Sequence, residues 1–439
     1  MLWVILFLLG METLSAQALT YADVYPIIQK KCVICHNHQG SAPFSLEQYS
    51  DLVKRKSIIR YVIDQSIMPP WKANNHYREF ANNKALSPEE KMNILAWIDT
   101  GAKPGNTIKP TAMDALNGVR VNTQPDLILS MKKAYKVRGN NSNTYICYKI
   151  PYQIERDTFV SAIEFIPGNR SVVHHASYQI LEVAPDVDIK QGPDYFEYDA
   201  DTLNRVDDAH DYRYLQLVGK RGEMPVEHYH GGWLPGTSLQ HYPPEIGFYL
   251  PKKGVLLIRN LHYAPTPIDQ MDSSSLRIYF APVRPSRKMG FAAFKPARPH
   301  ADTIWKIPAG TSSFKAQINV RFHQDISLLN INPHMHQLGI SFKAYALTPQ
   351  GDTIRLIDIP EWDHNWQEFY RFKTMLKIPA GSLLHAEAVY DNSTANPENP
   401  FQPPRDILFE SGMNETSEMM RLVFLFLPYE ARDERISLE

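Results

Sequence analysis

Cysteine is scarce in this chain, with three residues among 439. Two of them, Cys32 and Cys35, belong to one short motif, and Cys147 stands apart in the sequence. Secreted proteins that depend on a disulfide framework carry many more cysteines, so a fold held together by disulfides is excluded. A zinc site with four cysteine ligands is excluded for the same reason.

Net charge is also nearly absent, because 46 Lys and Arg residues balance 47 Asp and Glu residues. A strongly basic surface, which would attract nucleic acid or an anionic membrane, is therefore not expected. The sequence has no internal repeat and no low-complexity tract. These absences leave an ordinary globular protein as the expectation.

Long hydrophobic runs are missing except near the N-terminus, where Leu2 to Leu9 form an unbroken apolar stretch. This run is too short to span a bilayer, and the small residues from Ser15 to Ala18 resemble a signal-peptide cleavage site. We therefore expect residues 1–18 to be a signal peptide, although no Lys or Arg precedes the run. The mature protein is then exported, to the periplasm or the cell exterior, without a membrane span.

The most informative motif is Cys-Val-Ile-Cys-His at 32–36. The thiols of Cys32 and Cys35 can add to the two vinyl groups of one haem, and His36 can then bind its iron. This pattern indicates one covalently attached c-type haem. A zinc pair would need two further Cys or His ligands at short spacing, and a redox dithiol would be expected in a βαβ context.

Helical patterns surround this motif. Apolar residues at helical spacing predict a helix over 20–31, and the capping box at 87–90 starts another one. Met68 is a candidate second axial ligand of the iron, with a core methionine as the alternative. Together these features predict a small α-helical cytochrome c domain over 19–105.

The sequence changes in character after about residue 106. Residues 106–125 resemble a linker. Beyond them, short β-branched and aromatic runs are separated by Pro, Gly, Asn and Asp, which is typical of antiparallel strands. Roughly 330 residues are too many for one β-sandwich. We therefore predict two β-sandwich domains, over 126–284 and 285–439.

Histidines supply a second set of candidate ligands. His334 and His336 would share one face of a strand, which suits a single metal ion. His174 and His175 are neighbours and could reach one ion only at a twisted, bulged or terminal strand position. His262 is a candidate third ligand, although a lone histidine in a sandwich is more often hydrogen-bonded than bound to metal.

Sulfur ligands narrow the choice of metal. Met419 opens the last apolar run, and Met420 and Met413 are rival thioethers. Three nitrogen ligands suit Cu, Zn, Ni or Fe, whereas two nitrogens with one thioether favour copper. His228 and His230 also have the spacing of a metal pair, but we interpret them as structural or cleft-lining residues.

Six short motifs follow one another in the second part of the chain. They are Thr-Tyr-Ile-Cys-Tyr at 144–148, Val-His-His at 173–175, Gly-Trp-Leu-Pro-Gly at 232–236, Leu-His-Tyr at 261–263, His-Met-His-Gln-Leu-Gly at 334–339 and Ser-Glu-Met at 417–419. In these motifs and their order, residues 144–429 resemble the copper type II, ascorbate-dependent monooxygenases, the family of dopamine β-hydroxylase and peptidylglycine α-hydroxylating monooxygenase. The resemblance implies two antiparallel, jelly-roll-like β-sandwiches facing a solvent-filled cleft.

The resemblance also implies two copper ions. The family holds its electron-transfer copper with three histidines, which match His174, His175 and His262. It holds the copper that binds oxygen and hydroxylates the substrate with two histidines and a methionine, which match His334, His336 and Met419.

Two departures from the family are visible. The eukaryotic enzymes are rich in disulfides, and the counterpart of Cys147 is paired in them, so packing must replace those bridges here. The peptide-amidating branch holds its substrate with an arginine and a tyrosine where this chain has Asn332 and Val423. A glycine-extended peptide is therefore not the expected substrate.

The haem motif and the copper ligands together suggest an oxidoreductase. We expect a copper-dependent monooxygenase that hydroxylates a C–H bond of an unknown small organic substrate with O2. Electrons would come from ascorbate or a periplasmic electron donor through the tethered c-type haem. One alternative is a non-catalytic haem- and copper-binding protein for electron transfer or redox sensing. Another is that the histidines are structural and the sandwiches bind carbohydrate or protein.

Overall fold

The computed structural model describes residues 19–38, 40–105, 124–198, 208–237, 239–297, 305–409 and 417–439. The predicted signal peptide at 1–18, most of the predicted linker and the rival ligand Met413 lie outside these residues. Within the described ranges, no helix combines the length and the apolar character needed to cross a membrane.

Three helices form the N-terminal region: α1 (Tyr21–Lys31), α2 (Tyr49–Asp64) and α3 (Pro88–Asp99). The predicted capping box is confirmed, because Ser87 Oγ accepts a hydrogen bond from the Glu90 N–H and the Glu90 carboxylate accepts one from the Ser87 N–H. The three helices share an apolar core in which Ile28, Leu52 and Trp97 are fully buried.

Strands make up most of the remaining ordered backbone, with a short helix α4 (Asp208–Tyr214) and a 3-10 turn (Asp433–Arg435) between them. In chain order they are β1 (Leu127–Ser130), β2 (Tyr135–Val137), β3 (Thr144–Gln153), β4 (Thr158–Ile166), β5 (Val173–Glu182), β6 (Tyr195–Glu197), β7 (Val226–Trp233), β8 (Gln240–His241), β9 (Ile246–Leu250), β10 (Lys253–Tyr263), β11 (Gln270–Asp272), β12 (Ser275–Phe280), β13 (Arg287–Lys288), β14 (Gly290–Phe294), β15 (Lys306–Ile307), β16 (Phe314–Arg321), β17 (Ile326–His334), β18 (Gly339–Leu347), β19 (Thr353–Ile359), β20 (Tyr370–Ile378), β21 (Leu383–Tyr390), β22 (Ile407–Phe409), β23 (Ser417–Glu418) and β24 (Arg421–Pro428).

The described strands form six sheets. One has the order β1-β12-β4-β9-β13, with β8 joined to β4, and the next has the order β6-β3-β10-β5-β7. Later in the chain, β14-β24-β17-β20 and β16-β21-β18-β19 form two four-stranded sheets. The two smallest sheets are β11-β2 and β15-β22-β23.

The predicted fold class, a small α-helical cytochrome c domain followed by two jelly-roll-like β-sandwiches, is wrong. Strands account for 39% of the structure and helices for 13%, so this is a mostly-β molecule with few helices. Its arrangement is β-propeller-like in having five sheets of three or more strands, although strands paired in a sheet are rarely consecutive in the chain. Strand patterns in the sequence do not reveal such distant partners, because pairing is decided by tertiary packing.

The segment after α2 fastens the helices to the C-terminal strands. Phe80 forms an antiparallel bridge with Phe372 of β20 and is buried in the main apolar core. Lys84 forms a buried ion pair with Glu368, which lies just before β20. The helical region is therefore joined to the strands by both apolar and charged contacts, while the domain boundaries stay predictions.

Candidate functional site

A cavity of about 790 Å³ lies between the sheet that contains β5 and the sheet that contains β17. His175 and Gln179 of β5 line it, as do Asn330 and His334 of β17, since alternate residues of a strand share one face. Met419 lines the same cavity. Members of both predicted copper-ligand sets, His175 from one and His334 and Met419 from the other, therefore line one cavity.

The three histidines predicted to bind one copper converge. The Nδ1 atoms of His174 and His175 are 3.2 Å apart, and Nδ1 of His262 lies 3.2 Å from the first and 3.4 Å from the second. A point equidistant from these nitrogens lies about 1.9 Å from each, close to a metal–imidazole bond of roughly 2.0 Å. Within the described ranges, no other group of three His, Cys, Asp or Glu side chains converges in this way.

An irregular backbone lets neighbouring histidines reach one point. His174 and His175 lie at the start of β5, and the pairing of β5 with β10 shifts register on both sides of His262. Asn260, inside this irregular stretch, has a φ of 46°, in the left-handed region that few residues other than glycine adopt. A regular strand would place neighbours on opposite faces of the sheet.

The rings of this triad are neutral and oriented. Nε2 of His262 lies 2.8 Å from Asn143 Oδ1, so it donates there and leaves the Nδ1 lone pair for a metal. The Tyr145 ring stacks on His262 with centroids 4.2 Å apart. Burial, followed by nearby imidazoles, lowers the pKa of His175 and His262 well below the usual value.

His334 and His336 also have one nitrogen engaged. Nδ1 of His334 hydrogen-bonds to Gln367 Oε1, and Nδ1 of His336 lies 2.7 Å from the Ser417 carbonyl. Nε2 of His334 is buried and has no hydrogen-bond partner among the described residues. A buried nitrogen without a hydrogen-bond partner costs free energy unless something binds it. The centroids of the His334 and His336 rings lie 5.1 Å apart.

Burial sets the protonation of this pair. It lowers the pKa of His334 to about 3, with the neighbouring His336 as the next cause. It lowers the pKa of His336 to about 4, although the hydrogen bond to the Ser417 carbonyl acts in the opposite direction. Both imidazoles are therefore neutral near pH 7, the form that binds metals.

Met419 is buried and faces the cavity, whereas Met420 is packed in the main apolar core. The Glu418 carboxylate accepts hydrogen bonds from the backbone N–H of His336 (3.0 Å) and of Leu338 (2.7 Å). This contact ties the methionine-bearing segment to the turn that carries the histidine pair. The thioether and the His334 imidazole consequently line the same cavity, which the rival Met420 does not.

The two ligand sets lie within each other's electrostatic influence. His334 is one of the imidazoles that lower the pKa of His175. His364 lowers the pKa of members of both sets, His175 in the triad and His336 in the pair. Charge that develops in one set therefore acts on the other.

The sequence predicted that Trp362 and Trp366 line or buttress a domain interface, and in the loop at 360–369 between β19 and β20 the Trp366 ring lies 6.3 Å from the His174 ring. Sequence reasoning missed Gln367 of the same loop, which orients His334. Asn143 and Glu418 were missed as supporting residues too. No spacing rule points to them, because a supporting hydrogen bond depends only on tertiary proximity.

Cys32, Cys35 and His36 form the turn after α1. Burial raises the pKa of Cys32 to about 12 and also raises that of Cys35, so both are thiols at neutral pH. A redox dithiol requires a lowered thiol pKa. Within the described part of the chain, these three side chains do not converge as metal ligands would. Both observations disfavour the dithiol and zinc alternatives.

Cys35 of the haem motif packs against Gly236, a residue of the cavity wall. A Cβ atom at Gly236 would come 2.7 Å from Cys35 Sγ, and Gly236 also lines the cavity. Nδ1 of His36 lies 3.0 Å from the Phe44 carbonyl, which leaves Nε2 for an iron. Met68 is half-buried, and its N–H donates to the Val62 carbonyl, so its role as an axial ligand stays a prediction.

His228 and His230 point to different carboxylates. Nε2 of His228 lies 2.7 Å from the Glu182 carboxylate, and Nδ1 of His230 lies 2.9 Å from Glu227. His230 also lines the cavity. These contacts fit the interpretation of the two residues as structural or cleft-lining.

Comparison with known proteins identifies no family. No protein-family model matches the chain, and no curated protein matches it. Among solved structures, a candidate alpha-L-fucosidase from Bacteroides ovatus shares 6% identity with a TM-score of 0.15, over 77% of this chain and 43% of that one. Two structures of infectious bursal disease virus share 10% identity: the Gx strain has a TM-score of 0.17 over 72% of this chain and 75% of that one, and the Gt strain 0.16 over 72% and 84%. Similarity this weak carries no argument about fold or function.

Proposed function

We propose that this protein is a copper-dependent monooxygenase that carries a c-type haem and is related to the copper type II, ascorbate-dependent family its motifs resemble. It hydroxylates a C–H bond of a small organic substrate. In the balanced reaction, R–H, O2, two electrons and two protons give R–OH and water.

One observation carries this proposal: two separate sets of candidate ligands each place at least one member on the wall of one cavity. The first set has three converging Nδ1 atoms, and the second includes a buried imidazole nitrogen without a partner among the described residues. A protein that only stored or passed on electrons would not need two ligand sets on a shared cavity large enough for a small molecule.

The second set favours copper over zinc or iron, because a thioether is soft and stabilises Cu(I). Copper bound there supplies the one-electron chemistry that lets O2 react with a C–H bond. The chain itself orients the ligands, since Gln367 and the Ser417 carbonyl each hold one imidazole. Glu418 holds the turn between them, and the cavity walls position the substrate beside His334 and Met419.

The residues of the haem motif fit a covalently attached haem. Two thiols and an imidazole with one tied nitrogen stand in the required order at Cys32, Cys35 and His36. A bound haem exchanges electrons one at a time with a donor such as ascorbate or a periplasmic carrier. Covalent haem attachment takes place outside the bacterial cytoplasm, so the proposal requires export.

Metal content tests this function first. The full chain is produced in a periplasm with haem-attachment machinery, dialysed against a weak chelator and assayed for copper and iron. We expect two coppers and one haem iron per chain, and one copper in the His262→Ala variant. Haem iron without tightly bound copper would refute the copper sites.

Oxygen consumption then tests catalysis. With ascorbate present, O2 uptake should depend on an added substrate and should stop in the His334→Ala variant, while the haem spectrum stays unchanged. Uptake that continues in that variant would contradict the assignment of His334 and His336 to the oxygen-activating site.

A further inference from the structure

The cavity wall carries more positive than negative side chains. Five lining residues are cationic: Lys84, Arg259, Lys295, Arg371 and Arg421. Two lining residues of the described chain are carboxylates, Glu227 and Glu368. An excess of one sign in an enclosed space concentrates ligands of the opposite charge.

The two carboxylates already have partners. Glu368 forms the buried ion pair with Lys84, and Glu227 accepts a hydrogen bond from His230. Arg259 pairs with Asp211, at 2.5 Å. These contacts engage the carboxylates of the wall, so little negative charge remains there for the other three cations, Lys295, Arg371 and Arg421.

Arg371 is a half-buried cation of this wall. Within the described residues, its Nε is buried without a hydrogen-bond partner, and no carboxylate lies within ion-pair distance of it. Its backbone is fixed, because its N–H donates to Asn82 Oδ1 (2.9 Å) and its carbonyl accepts from the Ala81 N–H (2.8 Å). The Arg371 side chain is half-buried, so it has lost part of its hydration, and a bound anion would recover part of that free energy.

The groups around Arg371 do not supply the negative charge that a bound anion would bring to its guanidinium. Burial lowers the pKa of this guanidinium, and Tyr242 and Glu439 act on it only through space in the opposite direction. Burial, followed by Arg371, lowers the pKa of His241, which lines the same cavity. The surroundings of the guanidinium are therefore poor in negative charge.

Arg371 stands at a useful distance from the candidate copper ligands. It pairs in register with Asn330 of β17, four residues before His334. Four residues of extended strand span about 13 Å. A small molecule held at Arg371 could therefore extend to the His334 and Met419 end of the cavity.

We propose that Arg371 binds a carboxylate group inside this cavity. This carboxylate can come from either of two sources. One is a propionate of the haem attached at Cys32 and Cys35, since Cys35 touches the cavity wall at Gly236. The other is the carboxylate of a free substrate. The proposed function is needed only to identify these two sources, the haem and the substrate; the carboxylate site at Arg371 does not depend on it.

Two measurements on the haem- and copper-loaded full chain separate the sources. The variants are Arg371→Gln, Arg371→Lys, which keeps the charge, and Lys295→Gln, which removes a different and exposed cation of the wall. The first measurement is the haem midpoint potential, by redox titration. The second is calorimetric binding of 4-phenylbutyrate and of its neutral amide.

If a propionate occupies Arg371, Arg371→Gln lowers the haem potential, because it removes a positive charge beside the porphyrin. Arg371→Lys and Lys295→Gln leave the potential close to that of the wild type. If a free carboxylate occupies Arg371, the wild type binds 4-phenylbutyrate at least tenfold more tightly than the amide. Arg371→Gln then abolishes that preference without moving the potential.

An unchanged potential together with unchanged carboxylate preference in Arg371→Gln would overturn the proposal. If Arg371→Gln does not fold, Arg371→Met removes the same charge and is expected to give the same results, while a folded Arg371→Lys keeps whichever property the wild type shows. The binding arm is repeated on copper-free protein. Preference for the carboxylate should persist there, and a chain that shows this preference but takes up no copper when copper is supplied would refute the proposed function and leave the role of Arg371 intact.

Discussion

Three of the candidate copper ligands, His262, His334 and His336, are each oriented by a hydrogen bond at the other ring nitrogen. Nε2 of His262 is engaged by Asn143, and Nδ1 of His334 by Gln367. Such bonds fix the tautomer of an imidazole and hold its ring plane, so the remaining lone pair points in one direction. The individual residue therefore already selects which atom meets the metal.

Replacing Met419 with Ile should remove one copper and leave the other. Isoleucine keeps the apolar volume but lacks the sulfur that stabilises Cu(I), so only the set with His334 and His336 is weakened. Copper per chain, measured by competition with a Cu(I) chelator, should fall from two to one with an unchanged haem spectrum. Met420→Ile is the matched control, because Met420 lies in the apolar core, and two coppers should remain.

The two supporting amides should act on different sites. Gln367→Leu should weaken copper binding at the pair by about 10- to 100-fold, and Asn143→Leu should weaken binding at the triad by a similar factor. Each variant serves as the control for the other. Equal losses at both sites in either variant would show that these amides act on the fold and not on one ligand.

Acid should destabilise the copper-free protein through His334 and His336. Their pKa values are about 3 and about 4 in the folded chain, against about 6.5 when unfolded. Between these limits the unfolded chain binds more protons, so the free energy of unfolding falls as pH drops from about 6.5, by roughly 1.4 kcal/mol per pH unit for each imidazole. Urea denaturation at pH 7 and pH 5 measures this loss.

The control for this pH dependence is the double variant His334→Asn, His336→Asn. It lacks both titrating groups, so its stability should change less between pH 7 and pH 5 than that of the unmodified chain. An identical slope in the two proteins would show that acid acts through other groups.

At the scale of elements, the turn after β17 depends on a single carboxylate from β23. Glu418→Ala leaves the His336 and Leu338 N–H groups buried without their acceptor, which we expect to cost about 2–4 kcal/mol. Glu418→Gln keeps one acceptor oxygen and should cost less. Chemical denaturation and copper content measure the two effects, and an Ala variant as stable as the Gln variant would contradict this role.

Elements differed in how far the sequence revealed them. The helix α3, with Ser87 as its N-cap, was predicted correctly, because a capping box and helical spacing act within a few residues. The metal triad was predicted as a set, but its geometry depends on register shifts between β5 and β10. Those shifts join strands about 80 residues apart, and no local pattern encodes them.

At the scale of the molecule, the Lys84–Glu368 pair joins the helical region to the strands. Lys84→Met should destabilise the protein by about 3–5 kcal/mol, because Glu368 is left buried without its cation. The double variant Lys84→Met, Glu368→Gln should recover most of this loss. Denaturation followed by tryptophan fluorescence would test it, and a double variant as unstable as the single one would contradict the explanation.

The sequence alone determined the chemistry that is available. A c-type haem motif, three histidines, a histidine pair and a methionine are visible without coordinates, because ligand chemistry belongs to residue types. Only the tertiary structure decided how the sheets are assembled, that members of both ligand sets line one cavity, and that Arg371 lines the same cavity. Those facts depend on pairing and packing between residues far apart in the chain, and burial then sets which imidazoles stay neutral.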